Sequence, residues 1–241
     1  MNDELKFTVI SDTHYYSKKN FVDGFDKNKK PKPGQLFFSR SEEIVEHTFD
    51  CLCKNDTPDI VLISGDLTYN GERTSHDEMK AALKKLQQKG KRVYVITATH
   101  DYTTPRMPTY GIDKNDKYIE VESVNRTQLL KYYGDFGYNN AIAKHKSTMS
   151  YVAQLADGYR LFALNDDYGD PDCGFSDELM NWVKTEANNA KRDGQYIIAM
   201  THHPLVPPSP IYAAVAKGDM LNKYELRSKQ LSDLGFDFVL T

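Results

Sequence analysis

The sequence predicts an α/β protein built on a mainly parallel sheet, and two patterns carry that expectation. Unbroken β-branched runs alternate with stretches whose apolar residues recur at helical spacing. The strand-like runs also end, one after another, in residues able to bind a ligand: Asp12 and His14, Asp66, His100 and His202. Ligands of parallel sheets gather outside the carboxyl ends of the strands, so four such ends could converge on one place. A length of 241 residues suits one large domain of this kind.

The first strand is expected over Leu5 to Ile10, with Asp12-Thr-His14 just past its end. In extended backbone, residues two apart point to the same side, which would aim carboxylate and imidazole together. Tyr15 to Phe38 shows no periodicity and reads as a long loop, with Lys27-Asn-Lys-Lys-Pro-Lys-Pro-Gly34 as a solvated stretch at its middle. Ser39 with Glu42 matches a capping box. Ile44, Val45, Phe49 and Leu52 then define one helical face. Ile60 to Ile63 is a buried strand leading into Gly65-Asp66. The next helix starts at Thr74, buries Met79, Leu83 and Leu86, and is capped by Gly90. Val93 to Thr97 is the third strand, ending in Ala98-Thr99-His100-Asp101.

Residues 102 to about 150 read as an insertion with a helix near Val124 to Tyr133. Its tyrosines, among them Tyr110, Tyr118, Tyr132, Tyr133 and Tyr138, either stack on a substrate ring or pack a satellite core. Arg106 and Arg126 pair with phosphate or lie solvated. Ser150 to Leu155 and Tyr159 to Leu164 form a hairpin about Asp157-Gly158. Asn165 and Asp166 end the second of these strands, near the site or capping a turn. Ser176 starts a helix with Leu179, Val183, Ala187 and Ala190 inward. Tyr196 to Met200 is a strand ending in Thr201-His202-His203-Pro204. A helix over Tyr224 to Leu234 and a strand from Phe236 to Leu240 complete the chain.

Composition sets the outer bounds. Hydrophobic residues make up 39% and charged residues 27%, an ordinary globular balance with material for a core. A net charge of −3 leaves no basic footprint for general nucleic-acid binding. No apolar run is long enough to span a membrane and no signal region opens the chain, so a cytoplasmic location is expected. Three cysteines make no disulfide framework. Cys51 and Cys53 point in different directions along a helix and read as small buried residues. Oligomeric state is open.

Taken together, Asp12-Thr-His14, Gly65-Asp66, Ala98-Thr99-His100-Asp101 and His202-His203-Pro204 resemble the motifs of the calcineurin-like metallophosphoesterases, in the family's order and each after a strand. The resemblance runs over essentially the whole chain. It implies a layered sheet-and-helix sandwich of αββα type, formed by residues 1–241 as a single domain. It also implies two metal ions, of manganese, iron or zinc, which mixed carboxylate and imidazole ligands suit better than calcium. By position, Asp12 and His14 would bind the first ion, Asp66 would bridge both, and Thr99 and His202 would serve the second. His100 would stand at the leaving group with Asp101 orienting its ring, and His203 would be structural or lie on the substrate side. Hydrolysis of a phosphate ester, mono- or diester, by a hydroxide bridging the two ions is the implied reaction.

Two departures qualify this. The family has Asn where Thr99 stands and Gly where Ala98 stands, which weakens one ligand of the second ion and stiffens the turn. The family's Gly-His-x-His, which follows a strand like Phe236 to Thr241, is not in the sequence, so the C-terminal part of the fold is expected to be missing and the chain could hold one ion rather than two. The alternative to an enzyme is therefore a non-catalytic member of the fold that binds another protein.

Overall fold

A computed structural model describes residues 4–22, 38–54, 56–115, 117–167 and 173–241. The lysine-rich stretch Lys27 to Gly34 lies outside the described residues. The chain forms two compact units, the first from residues 1–93 and 99–134, the second from 94–98 and 135–241.

In the first unit, β1 (Phe7–Ile10) pairs in parallel with the strand that follows the first long helix, Val9 opposite Leu62. That helix is α1 (Ser41–Leu52) and the strand is β2 (Ile60–Ser64), every residue of which is buried. α1 starts one residue later than the capping box predicts. Phe38–Arg40 forms a single 3-10 turn that carries Ser39 past the capping position, and Arg40 occupies it with no side-chain cap. The Ser41 hydroxyl accepts from the Tyr16 amide instead. Val45, Phe49 and Leu52 are buried as expected, but Ile44 is 49% exposed, because the buried stripe runs from Ser41 through Val45. Cys51 and Cys53 are partly exposed rather than buried, one at the last turn of α1 and the other at its C-cap.

The described start of the expected loop, Tyr15 to Val22, is packed into the unit. Tyr15 and Phe21 make isolated bridges to Thr68 and Ile112, and Tyr15, Tyr16, Ser17, Asn20 and Phe21 are buried. α2 (Arg73–Gln88) buries His76 along with Met79, Leu83 and Leu86, and Gly90 follows its end in the left-handed conformation that a side chain would resist. β3 (Arg92–Ile96) is the strand during which the chain passes from the first unit to the second. The first unit resumes at Thr99. It adds a two-residue ribbon, β4 (Gly111–Ile112) against β5 (Tyr118–Ile119), then a short helix α3 (Leu129–Tyr133) near the predicted place.

The second unit is organised by a five-stranded sheet of order β10-β9-β8-β7-β6. Its members are β6 (Ala143–His145), β7 (Ser150–Ala156), β8 (Tyr159–Ala163), β9 (Tyr196–Met200) and β10 (Phe238–Leu240). β6, β7 and β8 pair antiparallel; β8, β9 and β10 run parallel. β7 and β8 are the predicted hairpin, with Gly158 at φ 82° in its turn. Between β8 and β9 comes α4 (Asp177–Arg192). Ser176 accepts from the Leu179 amide and caps it as expected, and Leu179, Val183, Ala187 and Ala190 pack with Phe162, Ile197 and Leu231 into one core cluster. α5 (Pro210–Val215), which the sequence reading missed, and α6 (Tyr224–Asp233) follow β9. Among the described residues, no helix is long and apolar enough to cross a membrane.

Candidate metal centre

The turns after β1 and β2 continue the pairing of their strands. The amides of Asp12, His14 and Tyr15 donate to the carbonyls of Gly65, Asp66 and Leu67 at 3.2, 2.9 and 2.9 Å. Thr13 adds its hydroxyl to the Leu67 carbonyl. The backbone here is not extended. Asp12, His14 and Asp66 have φ of 54°, 39° and 52°, and Gly65 has 104°. A residue with a Cβ resists this region. Three such residues in two adjoining turns are strain of the kind that collects at functional sites. It corrects one expectation: strand alternation does not bring Asp12 and His14 together, left-handed turns do.

The result is a convergence on one imidazole. His14 Nε2 lies 3.6 Å from Asp12 Oδ1 and 3.7 Å from Asp66 Oδ2. Asp66 is 4% exposed and its other oxygen accepts from the His100 amide at 3.0 Å. The His14 and His100 rings meet edge to face, centroids 4.8 Å apart. His14, Asp66 and His100 can each offer a donor atom within 4.8 Å of the others. His14 Nδ1 is buried with no hydrogen-bond partner among the described residues. Burial opposes charging His14, but the Asp12 hydrogen bond and the charges of Asp66, Asp12 and Asp101 outweigh it and raise its pKa. Clustered carboxylates around such an imidazole offer oxygen and nitrogen donors that fit a divalent ion.

Thr99 opens the 3-10 turn Thr99–Asp101 and is partly buried. The His100 ring is held through Nδ1, which lies 2.5 Å from the Tyr69 carbonyl and 2.8 Å from Asn70 Oδ1. The Asp101 carboxylate, fully buried, accepts from the amide and hydroxyl of Thr68, while its carbonyl meets His76 Nε2. Tyr69 and Asn70, besides His76, are residues of this neighbourhood that the sequence motifs leave out. Their signal was position, three and four residues past Asp66 in the same turn. Of the tyrosines, Tyr132, Tyr133 and Tyr138 are buried; Tyr118 is 52% exposed with its ring 4.0 Å from that of Tyr110. Arg126 lies over the Tyr102 ring.

In the second unit, His202 and His203 follow β9, and Asp166 follows β8. Asp166 is fully buried and gathers this turn: it accepts from the Thr201 hydroxyl and from the amides of His202 and His203, and meets His203 Nδ1 at 3.0 Å. Burial works against both charges, yet each holds the other, so His203 is raised and Asp166 lowered. Asn165 is likewise buried, donating to the Thr97 hydroxyl. Both residues left open between site and turn thus have turn-building contacts.

Carboxylates and imidazoles gathered in turns after the strands of a mixed α/β architecture define a candidate metal-binding fold. The chain belongs to the calcineurin-like phosphoesterase family, whose pattern it matches over residues 5–241. A dimetal phosphatase from Danio rerio superposes with a TM-score of 0.63 at 12% identity, over 94% of this chain and 77% of that one. A purple acid phosphatase from yellow lupin (Lupinus luteus) seeds superposes at 0.57 and 14% identity, over 97% of this chain but 36% of its own length. At such identities the likeness is one of fold. No curated protein sequence matches the chain.

Proposed function

We propose that this chain hydrolyses a phosphate monoester or diester in a metal-dependent reaction. The observation that supports it most is the convergence of Asp12 and Asp66 on His14, 3.6 and 3.7 Å from its Nε2, on strained turns at all three residues. In this reading Asp12, His14 and Asp66 hold the first ion. The residues assigned to a second ion beyond Asp66, namely Thr99 and His202, are carried over from their place in the family pattern. Bound ions supply Lewis acidity toward the phosphoryl oxygens and acidify water.

The protein's own groups do the rest. Asp12 and Asp66 bring negative charge that keeps cations in place, and Asp66 also fixes the His100 backbone through its amide. As the P–O bond to the leaving group breaks, its oxygen takes a proton from the His100 imidazolium; water gives its hydroxyl to phosphorus and its own proton to solvent. No serine or cysteine nucleophile is required.

The test is hydrolysis of p-nitrophenyl phosphate and bis-p-nitrophenyl phosphate with manganese, alongside elemental analysis of metal per chain. Wild type is expected to retain metal and turn over at least one substrate, and Asp66→Ala to lose both. Activity that survives Asp66→Ala sinks the reading. The non-catalytic alternative rests on Thr99 in place of Asn; it is favoured if a folded, metal-loaded wild type hydrolyses neither ester.

A further inference from the structure

The contacts of His100 decide which of its nitrogens carries hydrogen. Nδ1 sits 2.5 Å from the Tyr69 carbonyl. A carbonyl only accepts, so Nδ1 is the donor. Asn70, 2.8 Å from the same nitrogen, must then present its oxygen and not its amino group. In the neutral ring the lone pair is on Nε2, and any proton passed to a leaving oxygen travels through Nε2.

The geometry points to Asn70 as a positioning residue of His100, which shares the Nδ1–H with the Tyr69 carbonyl and so holds that tautomer and the plane of the ring. This rests on the reading of His100 as the group that serves the leaving oxygen. The segment around Asn70 is clamped as a positioning device needs to be. Asn70 is 5% exposed, its amide donates to Glu72 Oε1 at 3.0 Å, and its carbonyl accepts from the Thr109 hydroxyl. Glu72 is itself fully buried. Gly71 between them has φ 77°, and a Cβ there would stand 2.6 Å from the Tyr102 Cα, so glycine alone lets the turn press against that backbone. The Gly71 carbonyl is tied to the Val124 amide at 2.8 Å. His100 is thus gripped on two sides: its backbone by Asp66, its ring by Asn70 and the Tyr69 carbonyl.

Two measurements test this and fail separately. In protein labelled with 15N-histidine and free of metal, long-range proton–nitrogen correlations read the tautomer directly, with His100→Gln assigning the signal. Wild type is expected to show the Nδ1–H form alone. Asn70→Ala is expected to shift the His100 signals toward a mixture, and Asn70→Asp, which keeps an acceptor oxygen, to restore them. An Nε2–H wild type, or His100 signals unmoved in Asn70→Ala, overturns the proposal. With manganese, Asn70→Ala is expected to lower kcat on the order of 100-fold for an alkyl ester, whose leaving oxygen needs a proton. The loss should be far smaller for a p-nitrophenyl ester, with KM unmoved and Asn70→Asp recovering most of the rate. Equal losses on both esters would make Asn70 a structural residue and overturn the assignment. A wild type inactive on both would defeat the proposed function, while the nitrogen spectra would still decide the role of Asn70.

Discussion

Each unit holds histidines and aspartates in turns that follow strands, yet the two use them in opposite ways. In the second unit Asp166 and His203 are buried against each other, and the carboxylate also takes two amides and a hydroxyl. Charge meets charge inside the protein, and the pair builds the turn. In the first unit Asp12 and Asp66 crowd one imidazole whose other nitrogen has no partner among the described residues, on backbone that strains to hold them. Its deeper ionisable groups, His76 and Glu72, are each pushed toward neutrality by burial, His76 down to about 3 and Glu72 up to about 7. A strand-end histidine therefore signals nothing by itself. What separates a turn-builder from a ligand is whether the protein already completes its contacts.

The largest expected effect is on the structural side of this comparison. Asp166→Asn removes the charge that keeps the buried His203 protonated and one acceptor of the turn, and should cost about 3–5 kcal/mol of stability in urea unfolding. Asp12→Asn, at a side chain 55% exposed, should change stability by less than about 0.5 kcal/mol and yet lose metal and hydrolysis. If the two variants destabilise alike, the contrast between the units is broken.

The pH dependence sharpens it further. Unfolded chains protonate His76 near 6.5 while the folded one waits until about 3, so this group's contribution is lost as pH falls below 6.5. Glu72 works the other way. The folded chain keeps its proton up to about 7 while the unfolded one releases it near 4.5, so that contribution is lost as pH rises through this range. Between 4.5 and 6.5 the two slopes oppose. Glu72→Gln removes one of them, and stability should then climb relative to wild type, by up to about 1.4 kcal/mol per pH unit across that window. Parallel curves for the two proteins would mean that Glu72 is ionised when folded.

The smallest effect concerns helix starts. Ser176→Ala removes a real cap from α4 and should cost about 1 kcal/mol. Ser39→Ala, before the uncapped start of α1, should cost under about 0.5 kcal/mol. Equal costs would restore the capping box at Ser39.

Much of this molecule was legible in its residues. Unbroken β-branched runs set β2 and β9, the 3.6-residue spacing set the inner faces of α2 and α4, and Asp157-Gly158 set a hairpin. These are local signals, and local physics answers them. The order of Asp-x-His, Gly-Asp, His-Asp and His-His was enough to place the chain in its family. Ile44 and Ser39 misled because which face of α1 is buried, and where α1 starts, depend on what packs on it: Tyr16 takes Ser41, and a 3-10 turn displaces Ser39. The left-handed turns at Asp12, His14 and Asp66 are not written in residue type either, since each conflicts with its own preference and is held by the pairing of two turns far apart in sequence. So too the fates of Asp166 and Asn70. Which histidine each one meets was decided by the tertiary structure, because hydrogen-bond partners are chosen by proximity in space and the sequence carries only the groups that can be chosen.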